Sequence, residues 1–548
     1  MNQYTFNGRS IYQNKKICYS YVNTCTIDLL HRLLLLGLLN IYIKTAIVVL
    51  CASLIVFLRQ LPDYWAAIHT PVGYEYSGQA SWFDPWDVNV YVGAIRYGQD
   101  GHILLVNQYR TDNTKEAFLY PLYTATGYIF RTVNPYILFH ALGAGVGVGL
   151  CIVLYMLAYL VFRKYWYSLY TMLLVSLGGG FGWMFKDGFK SADTFVTSFT
   201  MMSSFQRAHE GVGTLFYVCS LMFYYFATQT PFSSRRVQYL AVSTISLITL
   251  ILFYPYYLLI FALVTGIFTF THVQIGERQR SIFIWTSVTI GISTILSLFY
   301  LIHLRTTSLA SATTENLPNL TLRTLLMGYG PLILLFFAQV YLKKRNYTSA
   351  SSRFLWLWVG IAFFAAYLPF GFSRFYFRGL YFPLVLLALV YTLQLRYAAQ
   401  RKLLVLFLCL LLPLTSLYIF SRRMNEAGKI NQWFYYSHEI GDAFRYIRSY
   451  PKNGVMSGYI LGNYIPPKTN KSVYFGHKIQ STKGKVRQAQ LINFYSGKFS
   501  SLGAKKFLSN NNISLVIYGP EERAFGGHVY PFMRKTYSNS KVQIYTVL

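Results

Sequence analysis

Long apolar stretches alternate with short polar connections along the first 420 residues of the chain. A helix needs about 20 apolar residues to cross a bilayer core at 1.5 Å per residue. The pattern predicts eleven spans, at residues 33–58, 135–162, 166–186, 211–229, 238–254, 256–272, 282–303, 324–342, 354–371, 379–395 and 403–420. We therefore expect a polytopic α-helical membrane protein, in which Tyr254-Pro255-Tyr256 is either a proline kink or a break between two spans.

The connections between the predicted spans alternate in charge. Basic residues fall in every second connection, at Arg163-Lys164, Arg235-Arg236, Arg278 and Arg280, Lys343-Lys344-Arg345 and Arg401-Lys402. The positive-inside rule places these connections and the N-terminal segment 1–32 in the cytoplasm. The long first loop 59–134, the loops 187–208, 304–323 and 371–378, and everything after residue 421 are then predicted outside. We expect a multi-pass protein of the cytoplasmic (inner) membrane.

Residues 421–548 differ from the predicted transmembrane domain 33–420. Helical periodicity appears in SHEIGDAFRYIRSY, and short strand-like runs appear in GVMSGYI, KSVYFGH, ISLVIYG and KVQIYTVL. Alternating elements of this kind favour a small α/β domain, here expected outside the cell. The region holds 19 Lys and Arg against 5 Asp and Glu, which favours contact with anionic membrane lipids.

Composition agrees with a membrane protein and excludes other classes. Of the 548 residues, 54% are hydrophobic and only 12% charged, where soluble domains carry about 25% charged residues. The net charge of +31 does not predict nucleic-acid binding, because no basic stretch is interleaved with stacking aromatic residues on a soluble module. The six cysteines have neither metal-ligand nor redox spacing, so neither a zinc site nor a disulfide framework is expected.

Two acids stand at the start of a helical pattern in the first outer loop. Asp84 is suited to the N-cap, Pro85 to the first helical position, and Asp87 to the first turn. Apolar residues recur at helical spacing at Val88, Tyr91, Val92 and Ile95, which predicts an amphipathic helix on the membrane surface. Because Asp84 already serves as a cap, Asp87 is the better candidate for chemistry. A second helix is predicted over residues 115–129.

Motifs in both outer regions resemble a known superfamily. In the first loop they are Asp87-x-x-x-Tyr91, Arg96-Tyr97-Gly98-x-x-Gly101, Tyr109-Arg110-Thr111-Asp112 and Tyr120-Pro121-Leu122-Tyr123. In the C-terminal region they are Gly462-Asn463-Tyr464-Ile465-Pro466, Tyr474-Phe475-Gly476-His477 with Thr482, and Val516-Ile517-Tyr518-Gly519-Pro520-Glu521. This combination resembles a group of bacterial membrane proteins in the glycosyltransferase C (GT-C) superfamily, related in architecture to protein O-mannosyltransferases.

The resemblance implies an inverting glycosyltransferase that takes a sugar from a polyprenyl-phosphate donor. The acceptor would be a glycan, a lipid or a protein. Such a reaction needs a base, because a hydroxyl group is a poor nucleophile at neutral pH. The resemblance makes Asp87 the first choice for that base and Asp84 the second. It makes Tyr91, Arg96 and Asp112 candidate substrate-binding residues.

The departing lipid phosphate would need cations, and GFSRFYFRG offers Arg374 and Arg378. Their i, i+4 spacing would place both guanidinium groups on one helical face, where they match phosphate oxygens. The alternative is that both arginines anchor the helix at the lipid headgroups.

A further cluster lies at Arg207, His209 and Glu210. It suits a sugar hydroxyl or a metal ion, or a purely structural role in which Glu210 favours the start of a helix. No metal site is predicted, but a divalent cation stays open if Asp84 and Asp87 converge with His209 and Glu210. His477 lies beside Gly476 and is predicted to be structural, at the turn after a strand.

Two other functions compete with a glycosyltransferase. A transporter or flippase of lipid-linked saccharides would bury ionisable groups at mid-membrane and often contains internal repeats. The sequence shows few charges within spans and no convincing repeat, and it concentrates polar residues in the first outer loop and the tail. A non-catalytic membrane scaffold, in which the acids only cap helices, is the third possibility.

Overall fold

The computed structural model describes residues 9–112, 115–185, 191–197, 199–231, 233–272, 277–305, 307, 320–341, 349–368 and 373–547. The chain divides into two compact units, Met1–Leu54 and Ile55–Leu548. The first unit is helical from Arg9 onward. The second contains every residue of the candidate site.

The described residues are mostly helical. The helices are α1 (Arg9–Ile68), α2 (Pro85–Gln99), α3 (Pro121–Ile129), α4 (Pro135–Phe162), α5 (Tyr165–Ser176), α6 (Ala192–Phe195), α7 (Met201–Ser204), α8 (Ala208–Gln229), α9 (Ser234–Ile251), α10 (Tyr257–His272), α11 (Glu277–Arg305), α12 (Leu322–Tyr329), α13 (Pro331–Tyr341), α14 (Ala350–Ala366), α15 (Tyr381–Gln394), α16 (Ala398–Leu411), α17 (Leu414–Ala427), α18 (His438–Ser449), α19 (Tyr459–Thr469), α20 (Gly484–Tyr495), α21 (Ser501–Asn510) and α22 (Pro520–Ala524). Short 3₁₀ helices lie at Gly182–Met184 and Ser373–Phe377.

Six helices of the described chain are long and apolar enough to cross a membrane. They are Leu39–Ile68, Pro135–Phe162, Ala208–Gln229, Arg280–Arg305, Arg374–Gln394 and Ala398–Ala427. A seventh candidate is the pair Leu322–Tyr329 and Pro331–Gln339, bent by 98°. The predicted count of eleven is therefore not confirmed. The predicted connection at 343–345, and most of the one at 304–323, lie outside the described residues.

Two predicted spans end at other residues in the structure than the sequence analysis predicts, and the residues at those ends explain why. The span predicted at 166–186 ends at Ser176, because Gly178, Gly179 and Gly180 follow. A Cβ on Gly180 would overlap the backbone of Gly328, so this stretch is a close backbone contact and not a helix.

Helix α1 continues past the predicted start of the first outer loop at residue 59. The charged residues there are paired inside the protein. Arg59 lies 3.5 Å from Asp63, and Arg423 of α17 lies 2.8 Å from Asp63. Because Asp63 pairs with both arginines inside the protein, the polar positions extend the helix and do not end it. The domain boundary predicted at 421 likewise lies within α17.

Residues 59–134, which are predicted to form the first outer loop and keep that name below, contain α2 and α3, which pack closely on each other. A Cβ on Gly98 would overlap the carbonyl oxygen of Thr124, and one on Gly127 would overlap that of Ile95. Helix α2 is buried on nearly every side, so the prediction of an amphipathic helix is wrong. Helix α3 starts at Pro121, later than predicted, because Tyr120 has a left-handed backbone with φ +51°.

The residues after Ala427, called the C-terminal domain below, contain all but one of the seven strands in the described part of the chain. The strands are β1 (Tyr74–Tyr76), β2 (Tyr435–Ser437), β3 (Gly454–Met456), β4 (Ser472–Val473), β5 (Leu515–Tyr518), β6 (Met533–Ser538) and β7 (Gln543–Val547). Five form a mixed sheet in the order β4-β3-β5-β7-β6. Strands β3, β4 and β5 are parallel, whereas β7 is antiparallel to β5 and β6.

Alternate residues of the sheet contribute to two separate cores, as strand geometry requires. Val455, Leu515 and Ile517 face α18 and α19 and join a core that includes Val90 of α2 and Tyr109. On the other face, Met456, Val516 and Tyr518 pack against α20 and α21. The first core therefore attaches the C-terminal domain directly to the first outer loop. Strands β1 and β2 pair antiparallel and add a second attachment.

Candidate active site

A cavity of about 280 Å³ lies where the first outer loop meets the C-terminal domain. Polar and charged residues that line it are Asp84, Asp87, Thr197, Arg207, His209, Glu210, Arg374, Arg378, His477 and Gln480. Aromatic residues that line it are Tyr91, Tyr120, Phe253, Tyr254, Tyr256, Tyr300 and Phe375. A concave site with a few convergent polar groups among aromatic walls is the usual form of a small-molecule site.

Asp87 lies in the first turn of α2 with its carboxylate open to this cavity. Its side chain is 24% exposed. One oxygen, Oδ1, lies 2.8 Å from His477 Nε2, and the other, Oδ2, lies 3.1 Å from Arg207 Nη1. Burial raises the pKa of Asp87, but the charge of Arg207 and the hydrogen bond from His477 together hold it below its ordinary value. Asp87 is therefore an ionised acceptor at neutral pH.

The loop after β4 fixes the orientation of His477. The backbone N–H groups of Ile479 and Gln480 both donate to His477 Nδ1, over 3.2 and 3.1 Å. Because Nδ1 accepts these bonds, the ring proton of the neutral imidazole is on Nε2, which donates to Asp87. Ser481 Oγ accepts from the backbone N–H of His477 over 3.1 Å and closes the loop around it.

A buried amide pair brings this loop to α2. Asn89 Nδ2 donates to Asn463 Oδ1 of α19 over 2.7 Å, and Asn89 Oδ1 accepts from Tyr136 Oη over 2.9 Å. Asn463 Nδ2 in turn donates to the carbonyl of Gly476 over 3.0 Å, one residue before His477. Both asparagines are fully buried, so these bonds fix the position of His477 relative to Asp87.

Asp84 takes the N-cap position of α2, but its side chain does not cap the helix. Its backbone is left-handed, with φ +38°, and its carboxylate accepts from Thr197 Oγ1 over 2.7 Å. Arg207 Nη2 lies 3.3 Å from the same oxygen. The predicted capping role is therefore wrong. A left-handed backbone at a residue other than glycine is strained, and such strain persists only where surrounding contacts hold the residue in place.

Glu210 and the two arginines predicted for phosphate binding line the same cavity. Glu210 Oε1 lies 3.6 Å from Arg378 Nη2 and 3.4 Å from Arg207 Nη1. The Arg378 guanidinium stacks over the Tyr254 ring at 4.1 Å. Arg374 comes from the 3₁₀ helix Ser373–Phe377, so the predicted α-helical spacing is not the geometry that places both arginines here.

Tyr91 and His209 form an aromatic wall of the cavity. The Tyr91 ring stacks on Tyr123 at 5.1 Å between centroids and lies 4.5 Å from the His209 ring. His209 Nδ1 is 2.9 Å from Tyr123 Oη. Of the predicted site residues, Tyr91, His209, Arg207 and Glu210 are thus brought together with the two acids.

Two predicted substrate-binding residues lie elsewhere. Arg96 does not line the cavity, and its Nη1 donates to Gln99 Oε1 over 3.5 Å. Asp112 pairs with Arg110 and with Arg487, the latter over 3.2 Å, and lines a separate cleft. Burial raises the pKa of Asp112, but its bonds to Arg110 and the charge of Arg487 lower it to about 2. Asp112 thus joins the first outer loop to the C-terminal domain, and neither Asp112 nor Arg96 lines the cavity.

Several lining residues were not predicted from sequence. His477 was interpreted as structural, and Tyr120, Tyr254 and Gln480 were not considered as site residues. Tyr120 and His477 were noted only as parts of motifs that resemble the superfamily, and no spacing rule connects His477 to Asp87, 390 positions away in the sequence.

Comparison with known proteins supports the fold. No protein-family model matches the sequence, and no curated protein matches it. Solved structures of the oligosaccharyltransferase from Archaeoglobus fulgidus are similar. The complex of this enzyme, AglB, with an inhibitory peptide and a dolichol-phosphate aligns with a TM-score of 0.52 at 15% identity, over 93% of this chain and 74% of that one. The form tethered to an acceptor peptide with an NVT sequon aligns with a TM-score of 0.54 at 14% identity, over 92% and 74%.

The chain therefore shares the fold of this archaeal enzyme. A third structure of the archaeal enzyme, in complex with Zn and sulfate, aligns with a TM-score of 0.51 at 15% identity, over 91% of this chain and 73% of that one. The acids that line the cavity of this chain, and that could supply oxygen ligands to a metal ion there, are Asp84, Asp87 and Glu210. Arg207 already lies within ion-pair distance of all three, and His209 Nδ1 is bonded to Tyr123. The described residues therefore do not fit a divalent cation.

Proposed function

We propose that this protein is a membrane glycosyltransferase that moves a sugar from a polyprenyl-phosphate donor to a hydroxyl acceptor at the outer face of the cytoplasmic membrane. The observation that carries the proposal is that Asp87, an ionised carboxylate, shares one cavity with Arg374 and Arg378. A base and two phosphate-binding cations are the groups that transfer from a lipid phosphate requires. The GT-C fold supports this function.

The proposed reaction is a single displacement. The acceptor oxygen attacks the anomeric carbon of the sugar, and its proton passes to the Asp87 carboxylate. The bond between the anomeric carbon and the phosphate oxygen breaks, and its electron pair leaves with the lipid phosphate. Attack from the face opposite the phosphate inverts the anomeric configuration. Arg374 and Arg378 would bind the phosphate and stabilise the charge that it gains.

His477 has the role of positioning Asp87 in this proposal. Because Nε2 donates to Oδ1, the carboxylate keeps a fixed rotamer, and its second oxygen contacts Arg207. The imidazole does not need to gain or lose a proton for this. A base that is held in position lowers the reaction barrier in two ways. It accepts the proton, and it is already oriented toward the reacting hydroxyl.

The acceptor could be a glycan, a lipid or a protein. The archaeal oligosaccharyltransferase was solved with a dolichol-phosphate and with an acceptor peptide. We propose a lipid-linked donor for this chain because of Arg374 and Arg378. The assay described next distinguishes the three acceptor classes. The relation to a bacterial group and to protein O-mannosyltransferases also remains a prediction.

The proposal is tested by incubating purified protein with radiolabelled polyprenyl-phosphate sugars and a membrane extract. We expect the wild type to transfer label and Asp87→Asn to lose about 100-fold or more in rate, because Asn cannot accept the proton. The matched control is Asp442→Asn, an exposed carboxylate of α18, which should transfer at the wild-type rate.

Two results would contradict the proposal. Equal transfer by the wild type and Asp87→Asn would remove Asp87 as the base. Movement of labelled saccharide across vesicles, with no transfer to any acceptor, would favour a flippase. Fractionating the labelled product into lipid, glycan and protein identifies the acceptor class.

A further inference from the structure

Three carboxylates of the cavity converge on one buried guanidinium group. Arg207 Nη2 lies 3.3 Å from Asp84 Oδ2, and Arg207 Nη1 lies 3.1 Å from Asp87 Oδ2 and 3.4 Å from Glu210 Oε1. The Arg207 side chain is only 4% exposed, so it cannot leave for solvent without a rearrangement. Neighbouring carboxylates disfavour one another's ionised form unless a cation lies between them. In proteins that cation is either a metal ion or a basic side chain.

The position of Arg207 leaves no place for a metal ion among these acids. A divalent cation requires its oxygen or nitrogen ligands within about 2.0–2.6 Å. The three carboxylates instead lie at ion-pair distance around the guanidinium. Within the described chain, no group of three or more His, Cys, Asp or Glu side chains is arranged to hold a metal ion.

The charges of the cavity balance without an added ion. Asp84, Asp87 and Glu210 supply three negative charges, and Arg207, Arg374 and Arg378 supply three positive ones. Arg207 contacts all three acids, and Arg378 shares Glu210 with it. A donor phosphate that enters would therefore meet a neutral site with guanidinium groups already in place.

We infer that Arg207 takes the place of a divalent cation in this protein, so that glycosyl transfer does not depend on a metal. The inference rests on the proposed function and adds a role that the proposed base and phosphate-binding arginines do not supply. Arg207 pairs with all three acids inside one cavity. When Asp87 accepts the acceptor's proton, its ion pair with Arg207 is lost. The positive charge of Arg207 is then available to the phosphate at the moment the phosphate departs.

The first test measures Mn²⁺ binding by electron paramagnetic resonance on the purified full-length protein, with no donor or acceptor present. We expect no Mn²⁺ site that depends on Asp87 in the wild type. Arg207→Ala removes the guanidinium and leaves three carboxylates together, so we expect this variant to gain a Mn²⁺ site. The double variant Arg207→Ala with Asp87→Asn should lose that site. A wild-type Mn²⁺ site that Asp87→Asn abolishes would overturn the inference.

The second test measures transfer after exhaustive chelation. We expect EDTA to leave the wild-type rate unchanged and added Mg²⁺, Mn²⁺ or Zn²⁺ not to raise it. Arg207→Ala should lose about 100-fold or more, in the range found when a preorganised charge-stabilising group is removed. Arg207→Lys should give an intermediate rate, since one ammonium is a point charge without the fork that reaches several carboxylates.

A control variant and the contrary results distinguish a failure of this inference from a failure of the proposed function. Arg131→Ala removes an exposed arginine of the first outer loop and should behave as wild type in both tests. Loss of wild-type transfer in EDTA, restored by a divalent cation, would overturn the inference. If the wild type transfers no sugar at all, the proposed function fails, while the Mn²⁺ measurement still decides whether Arg207 occupies the place of a cation. The wild-type measurements of Mn²⁺ binding and of transfer after chelation decide the question on their own. The test therefore still works if the Arg207→Ala variant does not fold.

Discussion

His477 Nε2 donates a hydrogen bond to Asp87 Oδ1 over 2.8 Å, although the two residues are 390 positions apart in the sequence. One comes from the first turn of α2 and the other from the loop after β4. The contact makes the C-terminal domain a part of the candidate active site.

Replacing His477 should alter the pH dependence of transfer as well as its rate. The hydrogen bond from His477 helps to lower the pKa of Asp87, so its removal in His477→Ala should raise that pKa. Asp87 acts as a base only when ionised, so the loss of activity on acidification should begin at a higher pH than in the wild type. The measurement is the acid limb of the pH–rate profile.

The control for this prediction is His438→Ala, which removes a histidine whose side chain is 59% exposed. Its acid limb should match the wild type. If His477→Ala lowers the rate but leaves the acid limb in place, then His477 supports the fold of the loop and does not tune Asp87.

The buried amide pair should hold the C-terminal domain on the first outer loop. Asn463→Leu would leave the Asn89 amide and the Gly476 carbonyl without partners, which costs about 1–3 kcal/mol for each buried group. We expect a lower melting temperature and faster proteolysis between the membrane domain and the C-terminal domain. Asn510→Ala, at an exposed position, should change neither. Unchanged proteolysis in Asn463→Leu would show that the amide pair does not attach the domain.

The contact between α2 and α3 should tolerate no side chain at its glycines. In Gly127→Ala the new Cβ would overlap the Ile95 carbonyl, and the backbone must shift, so we expect a loss of at least about 1–3 kcal/mol of stability and a displaced Asp87. The matched control is Gly145→Ala in α4, where a Cβ would meet no atom within 4 Å. That variant should be neutral or stabilised by up to about 1 kcal/mol through helix propensity. Thermal unfolding of the two variants in detergent measures the difference, and equal melting temperatures would contradict the prediction.

The stability of the C-terminal domain should fall as pH rises toward neutrality. Glu522 is buried and accepts from the backbone N–H groups of Gly458 and Gly519, over 2.5 and 2.9 Å. Burial raises its pKa from 4.5 to about 7. A raised pKa means that the folded domain binds the proton more tightly than the unfolded chain. The resulting stability is fully present below about pH 4.5 and is lost as pH rises through about 7, with an upper limit of about 3 kcal/mol.

Hydrogen exchange of β5 in the full-length protein, measured across this pH range, reports the change in stability. Glu522→Gln should flatten the dependence, because a neutral amide replaces the titrating group. Glu116→Gln, at a half-exposed position in the first outer loop, should retain it. An identical pH dependence in wild type and Glu522→Gln would assign the effect to another group.

The fold class and part of the site could be predicted from the sequence. Apolar length alone identified membrane helices, and the alternating strand-like runs located β3, β4, β5 and β7. Strand β6 was missed because its sequence, MRKTYS, lies at the sheet edge and has no apolar alternation. Helix α19 was missed because it contains Pro466 and Pro467, which ordinarily interrupt a helix.

Some site residues could likewise be predicted from the sequence, and others could not. Asp87 and Arg207 stand beside helix starts in the sequence, so local reasoning selected both as candidates. The role of His477 depends on a bond across 390 residues, which no local pattern encodes. Asp84 was assigned as a cap because a cap is the common role for an acid before proline. Its side chain instead contacts Thr197 and Arg207, a tertiary contact that overrides the local preference.

The Asn89–Asn463 bond has a consequence for how this protein can be dissected. A version that ends after α17 would keep every candidate membrane helix, yet it would lack the wall that His477 and Gln480 give to the cavity. We expect such a truncated chain to have an open cavity in which Asp87 Oδ1 lacks the hydrogen bond from His477. The residues after Ala427 thus belong to the candidate site, and we expect a foreign domain to replace them only if both sides of the amide pair are carried along.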